Sequence, residues 1–214
     1  MSVFWGSDQY GETLFAERIM TGLPLKPFYF LRHGQTDWNL EHRAMGSQDV
    51  PLNDLGVSQG LNAAELLKNE PIATIVSSPL LRARKTADII AQHIKAPVIE
   101  ITELQEACWG EKEGQLKGNG LWINSWRNGE IKGAEGYADF SSRIKRGLEK
   151  ALQHKGPVLI VSHGGVYWVV QEILGLAIID LGNAEPIFHQ PPAHPTHPWG
   201  IYPLSEERNL YDYE

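Results

Sequence analysis

Apolar runs alternate with amphipathic stretches along most of the chain. The runs are short and contain few polar residues, which is typical of strands that are covered on both faces. Between them, apolar residues recur at helical spacing. The predicted strands contain Phe28–Leu31, Ile72–Val76, Val98–Ile101 and Val158–Val161. Because strands and helices alternate, the pattern predicts an α/β fold, a three-layer sandwich with a mostly parallel, doubly wound sheet and helices on both faces.

Capping and chain-breaking residues limit the predicted helices. Asn53 or Asp54 can cap the first of them, and one serine of the Ser77-Ser78 pair is expected to cap the second. Trp122 and Trp126, four residues apart, predict a packed amphipathic turn. The longer helices are predicted over Val57–Leu67, Leu80–Ile94, Phe140–Leu152 and from about Val166 to Leu174.

The two ends of the chain lack this periodicity. We expect residues 1–26 to be an N-terminal extension with a short helix near Thr13–Met20, and residues 27–214 to form one domain. The tail over Pro186–Pro203 is rich in proline, so only Trp199–Leu204 is expected to add an edge strand. The tail histidines suggest either a metal site or a loose Pro/His loop, and we favour the loop. They are His189, His194 and His197.

Composition narrows the classes of function. The 214 residues are 42% hydrophobic and 21% charged, an ordinary globular balance that can bury a core. The net charge of −7 argues against a nucleic-acid or membrane-surface binder, so any phosphate binding must be local. The single cysteine, Cys108, excludes an internal disulfide and a thiolate-cluster metal site. With no secretory signal in the first twenty residues and no apolar run of membrane-spanning length, we expect a cytoplasmic protein.

Candidate chemistry follows two of the predicted strands. Arg32 and His33 come directly after Phe28–Leu31, and His163 comes soon after Val158–Val161. Because the carboxyl ends of parallel strands share one edge of a sheet, where ligands bind, we expect these side chains in one cleft. Arginine forms a bidentate fork on phosphate or carboxylate, and imidazole can act as nucleophile, base or metal ligand.

Two further segments with charged residues are expected at the same edge of the sheet. Arg82, Arg84 and Lys85 lie in the first turns of a predicted helix, where the helix dipole favours acids, and this indicates a bound anion nearby. The alternative is a solvated basic face, which applies more to Arg84 and Lys85 than to Arg82. The segment Leu104–Gly114, which contains Glu106, is punctuated by glycine and is predicted to be a functional loop.

These motifs, taken in chain order, resemble the histidine phosphatase superfamily, also called the phosphoglycerate-mutase-like family. The resemblance runs from Phe30 to His163 and extends more faintly to Leu204. It implies that residues 27–214 are a catalytic domain of this kind. The segments that carry it are Leu31–Asn39, Gly46–Leu52, Leu80–Ala87, Leu104–Gly114 and Ser162–Gly165.

The resemblance implies a phosphomonoester hydrolase that works through a phosphohistidine, without metal or cofactor, on a small-molecule substrate, and as a possible homodimer. It implies that His33 is the nucleophile and Glu106 the proton donor. Because His33 must attack as neutral imidazole, a backbone carbonyl or a carboxylate should hold its other ring nitrogen. The groups implied to contact the phosphoryl oxygens are Arg32, Arg82, His163, Asn39, Gln35 and Thr36.

Departures from the family pattern favour its phosphatase branch. Met45 stands where many members have Gln, and Gly133–Gly136 follows their Gly-Glu-Ser turn only loosely, so a substrate contact by Glu135 is not expected. Cofactor-dependent phosphoglycerate mutases carry Tyr-Gly-x-Leu-x-Gly-x-Asn-Lys after the acidic residue and Gly-Asn-Ser after the second histidine. Here Trp109–Gly114 and Gly164–Val166 stand at those places. The mutase remains an alternative, as does a non-catalytic phospholigand-binding protein on the same fold.

Overall fold

The structure is a computed structural model that describes residues 23–118, 122–194 and 197–204. Its strands are β1 (Phe28–Arg32), β2 (Thr74–Ser77), β3 (Val98–Glu100), β4 (Val158–Ser162), β5 (Pro186–Gln190) and β6 (Gly200–Pro203). Its helices are α1 (Asp37–Leu40), α2 (Asp54–Leu67), α3 (Leu81–Ile94), α4 (Trp122–Arg127), α5 (Tyr137–Gln153) and α6 (Gly164–Leu174). The helix predicted near Thr13–Met20 lies outside the described residues.

The six strands form one sheet in the order β3-β2-β4-β1-β5-β6. The first four strands along the chain pair in parallel, whereas β5 and β6 are antiparallel to their neighbours. Arg32 at the end of β1 lies opposite Ser162 at the end of β4. The residues that follow these two strands therefore emerge side by side.

Alternation along the strands builds a core on each face of the sheet, because successive side chains point to opposite faces. Phe28 and Phe30 pack with buried residues of α5 and α6. Tyr29 and Leu31 pack with buried residues of α2 and α3. The predicted α/β fold, with a largely parallel sheet between two helical layers, is confirmed. None of the helices in the described ranges has the length and apolar composition needed to cross a bilayer.

The proline-rich tail differs from the prediction. The edge strand expected near Trp199–Leu204 is present as β6, but Pro186–Gln190 also forms a strand, β5, which pairs with β1. His189 is buried in β5, stacks on Phe28 with ring centroids 4.4 Å apart, and burial lowers its pKa to about 3. Neither a loose loop nor a metal site describes it, and no metal-binding group of three His, Cys, Asp or Glu occurs within the described residues.

Of the two caps predicted at helix starts, one is confirmed and the other is wrong. Asn53 caps α2 by accepting the backbone N–H of Gly56 at 2.9 Å, as one of the two alternatives expected. Neither serine of the pair caps α3, because that helix begins at Leu81, whose N–H is accepted by the carboxylate of Asp49 at 2.6 Å. The expected aromatic packing at α4 is present, since the ring of Trp126 packs edge-on against Trp109 and other rings.

Candidate active site

Two buried histidines lie next to each other at the carboxyl edge of the sheet. His33 follows β1 and His163 follows β4, and the two ring centroids are 5.2 Å apart. The backbone N–H of His33 donates to the carbonyl oxygen of Ser162 at 2.9 Å, which extends the strand pairing by one step. The parallel register of β1 and β4 therefore brings together the residues that the sequence predicted to share a cleft.

The hydrogen bonds of His33 define its tautomer. Nδ1 lies 2.7 Å from the carbonyl oxygen of Gly34, and because a carbonyl only accepts, Nδ1 carries the proton and Nε2 carries the lone pair. Burial lowers the pKa of His33 well below its usual value, and the positive charges of Arg82 and Arg32 lower it further. The ring is therefore a neutral imidazole with its lone pair on Nε2. Of the two holders that the sequence left open, the backbone carbonyl is the one observed.

Arg82 reaches this lone pair from the first turn of α3. Its Nε donates to Nε2 of His33 at 3.2 Å. Its Nη1 and Nη2 donate to the carbonyl oxygens of Gln48 at 2.7 Å and Gly46 at 2.8 Å. Burial lowers the pKa of Arg82 to about 10, so the guanidinium remains charged at neutral pH. A buried cation is thus held in a fixed orientation beside the candidate nucleophile.

Glu113 holds the loop that supplies these carbonyl oxygens. Its carboxylate accepts the N–H of Ser47 at 2.8 Å, the hydroxyl of Ser47 at 2.9 Å and the side-chain amide of Gln48 at 2.6 Å. The same carboxylate accepts the N–H of Trp109 at 3.1 Å. The loop Leu104–Gly114, which contains Glu113, therefore holds the carbonyl oxygens that orient Arg82. The sequence did not predict this role of Glu113.

Arg32 and His163 each keep one buried nitrogen without a hydrogen-bond partner among the described residues. The atoms are Nε of Arg32 and Nδ1 of His163. Nη1 of Arg32 donates to the carbonyl of Leu181 at 2.9 Å, and Nε2 of His163 lies 2.8 Å from the hydroxyl of Ser78. Since buried polar groups are nearly always hydrogen-bonded, the two nitrogens are candidates to donate to a bound anion. Burial also lowers the pKa of His163 well below its usual value, with Arg82 adding to the effect.

Glu106 is the carboxyl group of the site. Its two oxygens accept the backbone N–H of Ala107 and of Gly165, each at 3.0 Å. Burial raises the pKa of Glu106, and this effect exceeds the opposing influence of those two hydrogen bonds and of the nearby arginines. The contact with Gly165 requires glycine, because a Cβ there would lie 2.5 Å from a carboxyl oxygen of Glu106.

Arg143 supports the Glu106 loop from α5. Its guanidinium donates to the carbonyl oxygens of Glu103 at 2.7 Å and Gln105 at 2.9 Å. It also pairs with the carboxylate of Glu135 at 2.7 Å. Glu135 therefore supports this loop through Arg143.

Four of these groups line a cavity of about 240 Å³, whose lining among the described residues does not include the predicted site residue His163. His33, Arg32, Arg82 and Glu106 all line it. The other lining residues are Met45, Gly46, Trp109, Lys117, Gly164, Gly165, Trp168, Asp180 and Leu181. Sequence reasoning missed Lys117, Trp168 and Asp180, which lie in segments without a local pattern that would have identified them.

Three residues that were predicted to contact phosphate form hydrogen bonds within the protein next to the site. Thr36 and Asn39 form the capping box of α1, and the side chain of Gln35 accepts the amide of Asn53 at 3.1 Å. The described residues that line the cavity do not include Gln35, Thr36 or Asn39. Their contact with phosphate stays a prediction.

The remaining cations of α3 face away from the cavity. Arg84 pairs with Asp88 at 2.9 Å and with Glu100 at 2.5 Å, and Lys85 is exposed. Of the three cations at this helix start, Arg82 is the one that is buried and lines the cavity. The helix start therefore divides into one buried cation at the site and two on the surface.

Comparison with known proteins gives a consistent picture. The model of the histidine phosphatase superfamily (branch 1) matches residues 28–186. The uncharacterized phosphatase PhoE of Bacillus subtilis is 33% identical over 148 residues, which cover 68% of this chain and 76% of PhoE. The probable phosphoglycerate mutase GpmB of Proteus mirabilis is 34% identical over 161 residues, which cover 69% of this chain and 74% of GpmB.

Solved structures share the fold. The mycobacterial glucosyl-3-phosphoglycerate phosphatase, solved in complex with VO3, is 26% identical and superposes with a TM-score of 0.71. The match covers 82% of this chain and 97% of that protein. TTHB049 of Thermus thermophilus is 28% identical with a TM-score of 0.65, over 76% of this chain and 92% of TTHB049.

Proposed function

The chain belongs to the histidine phosphatase superfamily (branch 1), and from that premise we propose that it hydrolyses small phosphomonoesters through a phosphohistidine on His33. One observation carries the proposal. The lone pair of His33 Nε2 is oriented by the Gly34 carbonyl and lies 3.2 Å from the buried guanidinium of Arg82. A neutral nucleophile next to a fixed cation is the arrangement that attack on a phosphoryl dianion requires.

The proposed first step transfers the phosphoryl group to the protein. Nε2 of His33 forms a bond to phosphorus while the bond from phosphorus to the ester oxygen breaks. The leaving oxygen takes a proton from the carboxyl group of Glu106, whose raised pKa favours the protonated acid. Arg32, Arg82 and the Nδ1–H of His163 stabilise the negative charge on the phosphoryl oxygens, which is the electrostatic part of the catalysis.

The second step releases phosphate. The first step leaves Glu106 as a carboxylate, which takes a proton from a water molecule. The oxygen of this water attacks phosphorus while the bond from phosphorus to His33 Nε2 breaks. His33 returns to the neutral tautomer held by Gly34, and Glu106 returns to its acid form. Inorganic phosphate leaves the site. Every proton in this cycle moves between water, substrate and residues of the cavity.

Phosphoryl transfer between hydroxyl groups, as in a phosphoglycerate mutase, is the second candidate function. It is favoured by the similarity to GpmB and by Lys117, a further cation on the cavity wall. Burial lowers the pKa of Lys117, and Arg32 adds to this effect. A lysine at this place is suited to bind a second anionic group of a substrate, such as a carboxylate.

A substrate panel tests the proposal against both alternatives. Wild-type protein is incubated with several alkyl phosphates, and 3-phosphoglycerate is included with and without its 2,3-bisphosphate. We expect release of inorganic phosphate that does not depend on the bisphosphate. Isomerisation of 3-phosphoglycerate that depends on the bisphosphate would support the mutase instead, and binding of phosphate esters without turnover would support a non-catalytic protein.

Arg82→Lys is expected to lower kcat/KM about ten-fold or more, a loss of roughly 1.4 kcal/mol of transition-state stabilisation. Lysine keeps the positive charge but cannot donate to Gly46, Gln48 and the reacting group from one planar head. The measurement is steady-state hydrolysis of an alkyl phosphate. Arg84→Lys is the matched control, because Arg84 lies two residues further in the same helix and pairs with surface carboxylates. Equal kinetics for Arg82→Lys and wild type would place Arg82 outside the phosphate site.

Removal of divalent metal ions is expected to leave turnover unchanged. Arg32, Arg82 and His163 supply the positive charge that a metal supplies in metal-dependent phosphatases. The measurement is alkyl phosphate hydrolysis after prolonged dialysis against a chelator, with a zinc-dependent phosphatase treated in parallel as the control. Activity that is lost on dialysis and restored by Zn²⁺ or Mn²⁺ would contradict the proposed mechanism.

A further inference from the structure

A second open cavity adjoins the catalytic one and shares two of its walls. Trp168 and Asp180 line both cavities. The second cavity has a volume of about 350 Å³, and we call it the outer cleft. Its other lining residues are Ile123, Asn124, Arg127 and Ile178. A ligand bound at His33 can therefore continue past Trp168 into the outer cleft.

The indole of Trp168 is held in place at this junction. Its Nε1 donates to the carboxylate of Asp180 at 3.1 Å. Trp168 lies on α6, one turn after Gly164 and Gly165, which line the catalytic cavity. The indole is half-buried, so part of its surface remains in contact with solvent. An aromatic ring fixed in this way offers a stacking surface at a low cost in conformational entropy.

The outer cleft combines apolar and hydrogen-bonding walls. Ile178 is 47% exposed, and Ile123 is partly buried against the core. The oxygens of Asp180 and the amide of Asn124 provide hydrogen-bonding groups beside them. Ligand sites typically combine a mostly apolar surface with a small number of polar groups in this way.

The charges of the outer cleft differ from those around His33. Arg127 pairs with Glu172 at 2.9 Å and lies over the ring of Tyr137, so its charge is already engaged. Asp180 lines both cavities, so its negative charge lies at the boundary between them. This charge acts on the cations of the catalytic cavity, because it raises the pKa of Arg32 and of Lys117 against the lowering effect of burial. A second phosphate or carboxylate is therefore disfavoured beyond Trp168, whereas neutral hydroxyl groups can donate to Asp180.

We propose that the outer cleft binds the leaving group of the substrate, and that the preferred substrates are phosphomonoesters of neutral, hydroxylated alcohols that carry a ring. The ring stacks on Trp168 between the isoleucines, and hydroxyl groups donate to Asp180. This inference rests on the proposed phosphatase function. A small substrate such as phosphoglycerate would instead remain in the catalytic cavity, with its carboxylate near Lys117.

The test compares primary alkyl phosphates that differ in the size of the leaving group, namely glycerol 1-phosphate, ribose 5-phosphate and adenosine 5′-monophosphate. The value of kcat/KM is expected to rise along this series in the wild type. Trp168→Ala is expected to lower kcat/KM for adenosine 5′-monophosphate about ten-fold, mainly through KM, because loss of one stacking contact costs on this order. Its effect on glycerol 1-phosphate is expected to be smaller, because this leaving group has no ring to stack on Trp168. Trp168→Phe, which keeps a ring, should recover most of the loss.

Equilibrium binding to the His33→Ala variant separates this inference from the proposed function. The variant is expected to bind adenosine 5′-monophosphate more tightly than glycerol 1-phosphate, as measured by calorimetry without turnover. Equal affinities, or an equal effect of Trp168→Ala on all three substrates, would overturn the leaving-group subsite whatever the activity. Tighter binding of the nucleotide by a wild type that releases no phosphate would support the subsite and refute the proposed hydrolysis.

Discussion

His33→Ala is expected to abolish hydrolysis of phosphomonoesters, with a loss of about 10⁴-fold or more in kcat, as for the removal of a nucleophile in other enzymes. The reason lies in the position of its lone pair, which the Gly34 carbonyl directs to Nε2 beside Arg82. His163 does not replace it in the proposed mechanism, because its Nε2 is paired with the hydroxyl of Ser78 at 2.8 Å and its Nδ1 carries the proton that is donated to the phosphoryl oxygens. The variant should also form no phosphoenzyme.

Rapid quenching after mixing with a radiolabelled phosphomonoester measures this intermediate. A phosphohistidine is expected in the wild type, recognised because its label is labile in acid and stable in alkali. The matched control is His93→Ala, which removes an exposed histidine of α3 that bonds only to the carbonyl of Ile89 among the described residues. A circular dichroism spectrum shows whether His33→Ala remains folded. If a folded His33→Ala accumulates label at the wild-type level, the nucleophile is another residue.

The central part of this site was predictable because strand ends carry their own signal. An apolar run that stops at a polar residue and glycine defines the carboxyl end of a buried strand, and parallel strands deliver such ends to one edge. His33 and His163 follow this rule, and the register of β1 against β4 brings their rings to a distance of 5.2 Å. The fold class was predictable for a related reason, because both faces of each strand needed a helical cover.

Other features depend on contacts between distant parts of the chain. One serine of the Ser77-Ser78 pair was expected to cap α3, but the hydroxyl of Ser78 pairs with His163, 85 residues away. Pro186–Gln190 was expected to be part of a loop because the tail over Pro186–Pro203 is rich in proline, yet Pro186 occupies the first position of β5, where a missing N–H is tolerated. Stacking of His189 on Phe28 then buries the imidazole in the sheet. Tertiary packing overrides local composition in these segments.

The walls of the cavity were not predictable for the same reason. Lys117 lies in an irregular segment, Trp168 in a helix whose neighbours are apolar, and Asp180 in the connection before β5. Each residue type is common at such places, and only the fold brings the three to one cavity. Specificity therefore rests on residues without a readable pattern, whereas the reacting groups lie in motifs.

Glu106→Gln is expected to slow phosphorylation of the protein by an alkyl phosphate far more than phosphorylation by p-nitrophenyl phosphate. An alkoxide is a strong base and needs a proton as it leaves, whereas p-nitrophenolate leaves readily without one. The difference between the two esters should be about 10²–10⁴-fold, the usual contribution of a positioned proton donor. Single-turnover phosphorylation measures it, because this experiment isolates the first step from the attack of water.

The p-nitrophenyl ester also controls for a change in the shape of the site. Both oxygens of Glu106 accept a backbone N–H, so the amide NH2 of a glutamine would face one of these donors. Any distortion that results should slow both esters alike, whereas the loss of an acid slows only the alkyl ester. Equal slowing would mean that Glu106 shapes the site, and the proton donor would have to be another group, with His163 the next candidate.

The dependence of the rate on pH gives an independent measure of the same proton. Burial raises the pKa of Glu106, so its acid form persists to higher pH than that of an exposed glutamate, and kcat/KM for an alkyl phosphate should fall as pH rises through this raised pKa. Burial and the two arginines lower the pKa of His33, so the neutral nucleophile persists to low pH, and the acidic decline should instead follow protonation of the substrate's phosphate dianion at about pH 6. Glu106→Gln should remove the alkaline decline and leave the acidic one in place, because glutamine does not titrate whereas the substrate is the same. An alkaline decline that survives in Glu106→Gln would assign it to a different group and would contradict the role of Glu106 as the acid.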